Sequence, residues 1–330
     1  MQSPSHKPKL IISCDGGGMR GIQLEKDLGC DIFARASLIG GTSTGGMITF
    51  SRMAGHSNED IRDLYITVGR EVFKTDCRNI VESQSIANTK MFSEALTKLY
   101  NQSTLSDFSP LVKGFVTTSA TNILLPHLGP EPFILSNYNN PTRAINPKEI
   151  PENHSIVHAV RATSAIPMLF STPTYKNYTY MDGGYFNNNP INLTHQEAVN
   201  IFGMDNIHEC IFISFGTGYQ VTKTDMMSNL TSSFTTGTKF VTTNIGKVIE
   251  NPLTRIINFM TGSSFEIHQQ FQKANPNLHY FRFDPVIDKN IGVNDVSEPS
   301  IAYMKEEATR FTNSKEYKEM VLKIKGLLDF

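Results

Sequence analysis

The sequence predicts an α/β protein in which a mostly parallel β-sheet is covered by helices on both faces. Short apolar runs, typical of buried strands, alternate along the chain with segments of helical spacing. Several of these runs end in glycine-rich turns, as strands do where they lead into helices. With 330 residues, 39% of them hydrophobic, the chain is long enough to bury a large core without disulfides or metals. No linker separates two domains, so we expect one large domain.

The predicted strands are short runs of apolar and β-branched residues, which fit a pleated, buried surface. The first leads into three consecutive glycines, and the fifth leads into Asp182 and two glycines. In chain order they cover Lys9–Cys14, Ser37–Gly40, Phe115–Ala120, Phe133–Ser136, Tyr178–Met181, Cys210–Phe215 and Leu278–Phe283.

The predicted helices are located by caps and by apolar spacing. Ser57 is a good N-cap with Asp60 at the third helical position, and this helix should run to about Phe73. Pro190 and Gly203 bracket a further segment in the manner of helix ends. The other predicted helices begin near Gly46, cover Met91–Tyr100, Ser155–Ala165 and Ile191–Phe202, and form an amphipathic pair from about Ser300.

Charge and cysteine content argue against several classes of function. The 30 Lys and Arg residues nearly balance 31 Asp and Glu residues, and this net charge of −1 argues against a nucleic-acid partner. No apolar run is long enough for a transmembrane helix or a signal peptide. The cysteines have neither CxxC nor zinc-ligand spacing, so we expect reduced thiols in a cytoplasmic protein. They are Cys14, Cys30, Cys77 and Cys210.

The first turn that can carry chemistry is Asp15-Gly-Gly-Gly-Met-Arg-Gly21, directly after the first predicted strand. Taken literally, Gly16-x-Gly18-x-x-Gly21 has the form of a dinucleotide-binding fingerprint. It is also compatible with a tight strand-to-helix turn that needs positive φ angles. A third interpretation is a loop whose backbone N–H groups bind an anion or an oxyanion. The motif alone does not choose among these.

The second turn, Gly41-Thr-Ser-Thr-Gly45, has the form G-x-S-x-G. It follows a predicted strand and precedes a predicted helix, which is the context of a nucleophile elbow. In such an elbow a sharp turn exposes the serine hydroxyl, and small flanking residues permit the backbone geometry. An ordinary loop rich in Gly, Ser and Thr is the alternative interpretation.

The third turn is Asp182-Gly-Gly-Tyr-Phe-Asn-Asn-Asn-Pro190, at the end of another predicted strand. A carboxylate at a strand end, followed by glycines, can approach a second backbone closely. An aspartate that caps its own turn is the common structural alternative.

Taken together, the motifs resemble those of the patatin-like phospholipase family, and the C-terminal third is similar to the tail of calcium-independent phospholipase A2 catalytic domains. The resemblance covers nearly the whole chain after about Lys9. It rests on the ordered segments Asp15–Gly21, Gly40–Gly46, Arg161–Pro167, Asp182–Pro190 and Phe215–Gly218.

The resemblance implies an acyl hydrolase with a Ser–Asp dyad. Ser43 is then the nucleophile, and Asp182 accepts its proton directly, without a histidine. The backbone amides of Gly16, Gly17 and Gly18 form the oxyanion hole, where donors stabilise the charge of a tetrahedral intermediate. A carboxylate near its ordinary pKa of about 3.9 is a poor base for a hydroxyl, so we expect burial to raise the pKa of Asp182.

The resemblance further implies a three-layer α/β/α sandwich with a central mostly parallel sheet. A single patatin-like phospholipase domain then spans residues 9–330, with its catalytic motifs within 15–190 and a C-terminal α/β extension over about 220–330. For Arg20, steadying the loop, meeting a lipid phosphate and forming a structural salt bridge all stay open. The residues expected to support the site are Arg20, Gly41, Gly45, Gly183 and Gly184.

The expected substrates are fatty-acyl esters of phospholipids or related lipids, met by a peripheral protein at a membrane surface. A Ser–Asp dyad needs no metal, and the sequence has no calcium-loop pattern, so we expect neither a metal nor another cofactor. Apolar residues at helical spacing over residues 240–260, with basic residues between them, suit interfacial helices interrupted by Pro252. Helices packed on the core are the alternative. The sequence does not indicate an oligomeric state.

The segment between Gly21 and Gly40 departs from the family pattern, because it is about two helical turns short. A helix over Ile22–Leu28 is about 10 Å long, and the residues after it still suffice for a crossover. We expect such a short helix to hold the oxyanion loop weakly, which lowers both stability and hydrolysis.

Three other functions compete with a dyad hydrolase. A dinucleotide-binding oxidoreductase explains only the first turn and lacks a well-placed acidic residue about 20 positions on. A non-catalytic lipid-binding or scaffold protein suits the shortened helix, although Ser43 and Asp182 are both present. A Ser-His-Asp esterase is compatible with the order of residues along the chain. Its histidine would be His195, His208, His268 or His279.

Overall fold

A computed structural model describes residues 8–17, 27–73, 87–146, 154–219, 264–289, 291–292, 295 and 297–328. Within these ranges the core of the molecule is one eight-stranded sheet. Its strands are β1 (Leu10–Cys14), β2 (Ala36–Thr42), β3 (Lys113–Asn122), β4 (Glu131–Ser136), β5 (Thr174–Tyr175), β6 (Tyr178–Asp182), β7 (Ile211–Phe215) and β8 (His279–Phe283).

Five strands form a parallel block in the order β3-β2-β1-β7-β8, and β4, β5 and β6 are antiparallel additions. The carboxyl ends of parallel strands lie at one edge of a sheet, and open α/β sheets use that edge for their ligand sites. The turns that follow β1 and β2 are the first two motifs of the sequence, so the fold brings both to this edge.

Strand β3 has an unusual edge that two strands share. Residues 115–120 pair with β4 on one side. On the other side β2 runs parallel to β3 and ends with Thr42 opposite Thr117. The antiparallel strand β6 pairs with the next part of the same edge, residues 118–122, and ends with Asp182 opposite Thr118. The two strands run in opposite directions, and their ends therefore meet beside consecutive residues of β3.

Helices cover both faces of the sheet. They are α1 (Ile32–Arg35), α2 (Thr44–Met53), α3 (Asn58–Val72), α4 (Thr89–Tyr100), α5 (Ile156–Thr163), α6 (Gly184–Asn187), α7 (Ile191–Phe202), α8 (Ser264–Ala274), α9 (Glu298–Thr312) and α10 (Lys315–Leu327).

Alternate side chains of the central strands enter two different cores, as the period of two in a strand requires. On one face Ile12 packs with α1, α2 and α10, and Val116 packs with α2, α4 and α5. On the other face Ile11 and Phe115 pack with α7 and α8. The arrangement is a three-layer α/β/α sandwich, and the predicted fold class is confirmed.

Most predicted elements are present with bounds shifted by one to three residues. Ser57 caps α3 in a full capping box with Asp60, and Ser155 caps α5. The sequence reasoning missed α1, α6, α8 and β5. It also did not foresee that β4 and β6 run antiparallel to their neighbours.

Two sequence predictions fall wholly or largely outside the described residues. The interfacial helices over residues 240–260 lie outside them, as does most of the short helix Ile22–Leu28. At the end of that helix Leu28 is buried against the core, and Asp27 accepts a hydrogen bond from the Tyr317 hydroxyl at 2.7 Å. Within the described chain, no helix combines the length and apolar character needed to cross a bilayer.

Candidate active site

Ser43 occupies a strained turn between β2 and α2. Its backbone has φ 52° and ψ −118°, a region that residues other than glycine rarely adopt. The flanking glycines are needed because a Cβ at Gly41 would lie 2.4 Å from the Gly45 carbonyl oxygen, and one at Gly45 would lie 2.3 Å from that of Cys14. The predicted elbow geometry is present, and strain at such a turn is typical of functional sites.

The Ser43 hydroxyl donates a hydrogen bond to Asp182 Oδ2 at 2.7 Å, although 139 positions separate the two residues. The shared edge of β3 explains this contact, since β2 ends one residue before Ser43 and β6 ends at Asp182 itself. Ser43 is 9% exposed and Asp182 is 1% exposed. The structure therefore brings together the two residues that the family resemblance implied as a pair.

Burial raises the pKa of Asp182 from 3.8 to about 7. Two hydrogen bonds oppose that rise because they favour the carboxylate: one from the Gly184 N–H to Oδ1 at 2.7 Å, and one from Ser43. Desolvation has the larger effect. An aspartate with this pKa is a usable proton acceptor near neutral pH.

Gly183 permits the close approach of the aspartate turn to β3. A Cβ at this position would lie 2.2 Å from Thr117 Oγ1 and 2.3 Å from its carbonyl oxygen. The Gly183 N–H donates to the carbonyl oxygen of Thr163 at 3.2 Å. Gly183 thus shapes the turn, whereas Gly184 contacts the carboxylate directly.

Two threonines that the sequence reasoning did not single out fix the elbow. The Ser43 N–H donates to Thr163 Oγ1 at 2.8 Å, and that hydroxyl donates to the Thr117 carbonyl oxygen at 2.6 Å. Thr163 lies in the Arg161–Pro167 segment, which was noted only as a motif. The turn at Ser43 is therefore tied both to β3 and to the end of α5.

The glycine-rich turn lies beside Ser43, since Gly16 and Gly17 line the same pocket. The Gly16 N–H donates to the Asn188 carbonyl oxygen at 3.0 Å, so it is directed at protein backbone. Gly17 has φ +86°, and within the described chain its N–H makes no hydrogen bond. Gly18 and Arg20 lie outside the described residues.

A buried ion network that the sequence did not predict anchors the start of this turn. Arg282, on β8, donates to both carboxylate oxygens of Asp15 at 2.8 and 2.6 Å, and also to Asp284 at 2.7 Å. All three side chains are at most 5% exposed. Burial raises the pKa of Asp15 to about 6, while Arg282 opposes that rise.

An apolar pocket opens onto the dyad. Its empty volume is about 900 Å³ when the open solvent at its mouth is included. Its walls come from α2, α3, α4 and residues 164–170. Apart from the dyad and the glycine turn, the lining is dominated by aliphatic and aromatic side chains, among them Met47, Leu64, Val72, Phe92, Leu169 and Phe170. Such a lining suits a hydrocarbon chain.

None of the four candidate histidines lies in the lining of this pocket. His195 packs between Phe212 and Phe271, and His268 is hydrogen-bonded through Nδ1 to the Tyr280 hydroxyl at 2.9 Å. His208 and His279 are exposed. These last two lie at the amino ends of β7 and β8, at the opposite edge of the sheet from Ser43.

The described residues hold no group of three or more His, Cys, Asp or Glu side chains placed to bind a metal ion. Cys14, Cys30 and Cys210 are free thiols, and burial raises the pKa of Cys210 to about 11. Cys77 lies outside the described residues.

The fold is the one that the sequence predicted, and Ser43 and Asp182 are hydrogen-bonded to each other. The sequence also matches the family model "Patatin-like phospholipase" across residues 12–195, more than half of the chain. The protein therefore belongs to the patatin-like phospholipase family.

Related proteins carry phospholipase names. The chain is 24% identical to human calcium-independent phospholipase A2-gamma over 324 residues, covering 93% of this chain and 38% of that protein. It is 25% identical to the intracellular phospholipase A2 of Caenorhabditis elegans over 311 residues, covering 89% and 27%. The chain thus spans well under half the length of these relatives. Among solved structures, VipD from Legionella pneumophila aligns over 99% of this chain and 67% of that one, at 16% identity and a TM-score of 0.41.

Proposed function

We propose that this chain hydrolyses fatty-acyl esters of phospholipids or related lipids through a Ser43–Asp182 dyad. The observation that carries the proposal is the 2.7 Å hydrogen bond from the Ser43 hydroxyl to a buried carboxylate in the lining of an apolar pocket. Family membership and the phospholipase names of the relatives support the same chemistry. An intact dyad at such a pocket also argues against a purely scaffolding role.

In the first half-reaction Ser43 Oγ attacks the carbonyl carbon of the ester while its proton passes to Asp182. The carbonyl oxygen becomes an oxyanion, and amides of the glycine-rich turn stabilise it. Among the glycine amides of this turn that the structure describes, the Gly17 N–H is the one available for this role, because the Gly16 N–H already donates to the Asn188 carbonyl oxygen. The C–O bond to the alcohol then breaks, and the departing oxygen takes the proton from Asp182.

The second half-reaction removes the acyl group from Ser43. Water attacks the acyl carbonyl carbon and gives a proton to Asp182. Collapse of the second tetrahedral intermediate releases the fatty acid, and the proton returns to Ser43 Oγ. Asp182 thus acts as base and acid in turn, for which a pKa near neutrality is well suited.

A serine-directed fluorophosphonate probe and a lipid hydrolysis assay test this proposal. We expect Ser43→Ala to lose both labelling and hydrolysis while its circular dichroism is unchanged. Ser51→Ala is the matched control, because Ser51 is a buried serine of α2 that hydrogen-bonds Tyr100 and does not line the pocket. Full turnover by a folded Ser43→Ala protein would exclude Ser43 as nucleophile.

A further inference from the structure

An unusually apolar loop joins β3 to β4. Four of its aliphatic side chains face solvent, with Leu124 69% and Leu128 70% exposed and Ile123 and Leu125 nearly half exposed. We call residues 123–128 the apolar tip. Scattered exposed apolar residues are common, but four within six positions form a patch of the kind that marks an interaction site.

The backbone of the apolar tip satisfies most of its own hydrogen bonds. The amides of residues 123, 124, 125 and 128 donate, respectively, to the Asn177 carbonyl oxygen, the Asn122 side chain, the Asn122 carbonyl oxygen and the Leu125 carbonyl oxygen. Pro126 has no N–H to satisfy. Bonded amides make it easier for a loop to approach lipid, because an unbonded amide there loses its hydrogen bonds to water without replacement.

The composition of the apolar tip suits lipid better than protein. Residues 123–130 contain no Asp, Glu, Lys or Arg. Protein interfaces rely on Trp, Tyr and Arg, and leucine is under-represented among their energetic hot spots. The neighbouring β5–β6 turn, which bonds the apolar tip through Asn177, presents the exposed cation Lys176. A basic residue beside an apolar insertion suits anionic head groups.

The apolar tip also lies at the carboxyl ends of the parallel strands, the same edge of the sheet as Ser43. Thr117 pairs with the last residue of β2, and β3 continues from there to Asn122 before the tip begins. Five residues of strand extend about 17 Å. The apolar tip thus begins about this far along β3 from Thr117, a distance close to the thickness of one leaflet, which is half of the 30 Å hydrocarbon core of a bilayer.

We propose that the apolar tip inserts into the surface of a lipid bilayer and presents the Ser43 pocket to it. The proposal rests on the function proposed above, since it names the surface on which that site works. Leu124 and Leu128 are the main inserting side chains, and Lys176 contacts the head groups.

A single tryptophan tests insertion directly, because the natural sequence contains none. Leu124→Trp is compared with Leu111→Trp, which replaces an 86% exposed leucine just before β3, at the opposite end of that strand. Both carry Ser43→Ala, so vesicles are not degraded. With vesicles of phosphatidylcholine and phosphatidylserine, we expect a blue shift and quenching by brominated acyl chains for Leu124→Trp only. Equal behaviour of the two variants would overturn the proposal.

A second pair of variants measures the contribution to binding. Leu124→Ser combined with Leu128→Ser should weaken sedimentation with these vesicles by about tenfold or more, since burial of one leucine side chain already contributes about that factor. Leu111→Ser combined with Met204→Ser removes two exposed apolar side chains elsewhere and should bind as the parent does. Unchanged binding by the first pair would refute the insertion.

Hydrolysis separates this proposal from the one on which it rests. The paired tip substitutions should spare a soluble monomeric ester and slow turnover of vesicle lipid. Tip-dependent vesicle binding without any Ser43-dependent hydrolysis would refute the catalytic function and leave docking intact. Ser43-dependent hydrolysis together with vesicle binding that is unaffected by the tip substitutions would refute docking through the tip and support the catalytic function. If the tip substitutions dissociate a dimer in sedimentation velocity and vesicles do not bind, a second copy covers the tip and bilayer docking is wrong.

Discussion

Asp182→Asn should abolish hydrolysis and at the same time stabilise the folded protein above neutral pH. The asparagine keeps the shape of the side chain, its oxygen can accept the Gly184 N–H, and its amide can donate to Ser43 Oγ. What it removes is a buried carboxylate whose pKa is raised by burial from 3.8 to about 7. Such a rise corresponds to about 4 kcal/mol.

The direction of the effect follows from the two pKa values. Below about pH 4 the carboxyl is protonated in the folded and the unfolded chain, so its ionisation does not affect stability. Between pH 4 and pH 7 the unfolded chain loses this proton and the folded protein keeps it. Wild-type stability therefore falls by up to about 4 kcal/mol across this range, and the variant escapes the loss.

Thermal unfolding of wild type and Asp182→Asn from pH 4 to pH 8 measures this difference. An unfolding entropy of about 2.1 cal/mol/K per residue gives about 0.7 kcal/mol/K for the whole chain, so the Tm gap should widen by about 6 °C. Asp15, whose pKa is also raised, is present in both proteins and cancels in the comparison. A Tm gap that is the same at both pH limits would refute the argument that burial perturbs Asp182.

Three further outcomes are expected. First, kcat/KM should rise about tenfold per pH unit below pH 7 and level off above it, because only the ionised Asp182 accepts the Ser43 proton; a flat profile from pH 5 to pH 8 would contradict this. Second, Arg282→Met should cost about 3–5 kcal/mol in urea unfolding at neutral pH, since it leaves Asp15 and Asp284 buried without their cation, and an unchanged midpoint would show the network to be dispensable. Third, EGTA should leave hydrolysis of dispersed lipid unchanged, and a loss restored by Ca²⁺ would refute the metal-free dyad.

The parts of the site that the sequence predicted are those encoded locally. Ser43 and its flanking glycines form a compact turn between a strand and a helix, so the sequence offered the elbow as one of two interpretations, and the family resemblance favoured it. The capping box of Ser57 and Asp60 is local in the same way. Asp182 was recognised because glycines follow it at a strand end and because the surrounding motif resembles a known family.

The parts that escaped prediction depend on distant residues. Asp15 and Arg282 are separated by 267 positions, and an isolated arginine in a strand carries no signal of its partner. The bond from the Gly16 N–H to Asn188 likewise links two motifs that look independent in the sequence. The contribution of Thr163 depends on where α5 ends relative to β3, which only packing decides.

The meeting of β2 and β6 on one edge of β3 couples catalysis to completion of folding. Ser43 and Asp182 lie at the ends of two strands that meet only after both have paired with β3. A register slip of one residue would shift Asp182 by about 3.4 Å, more than the length of its hydrogen bond to Ser43. On the proposed mechanism, a nascent chain that has already emerged as far as Ser43 still lacks its base for another 139 residues. If Ser43 and Asp182 act as proposed, hydrolysis therefore begins only once the sheet is complete.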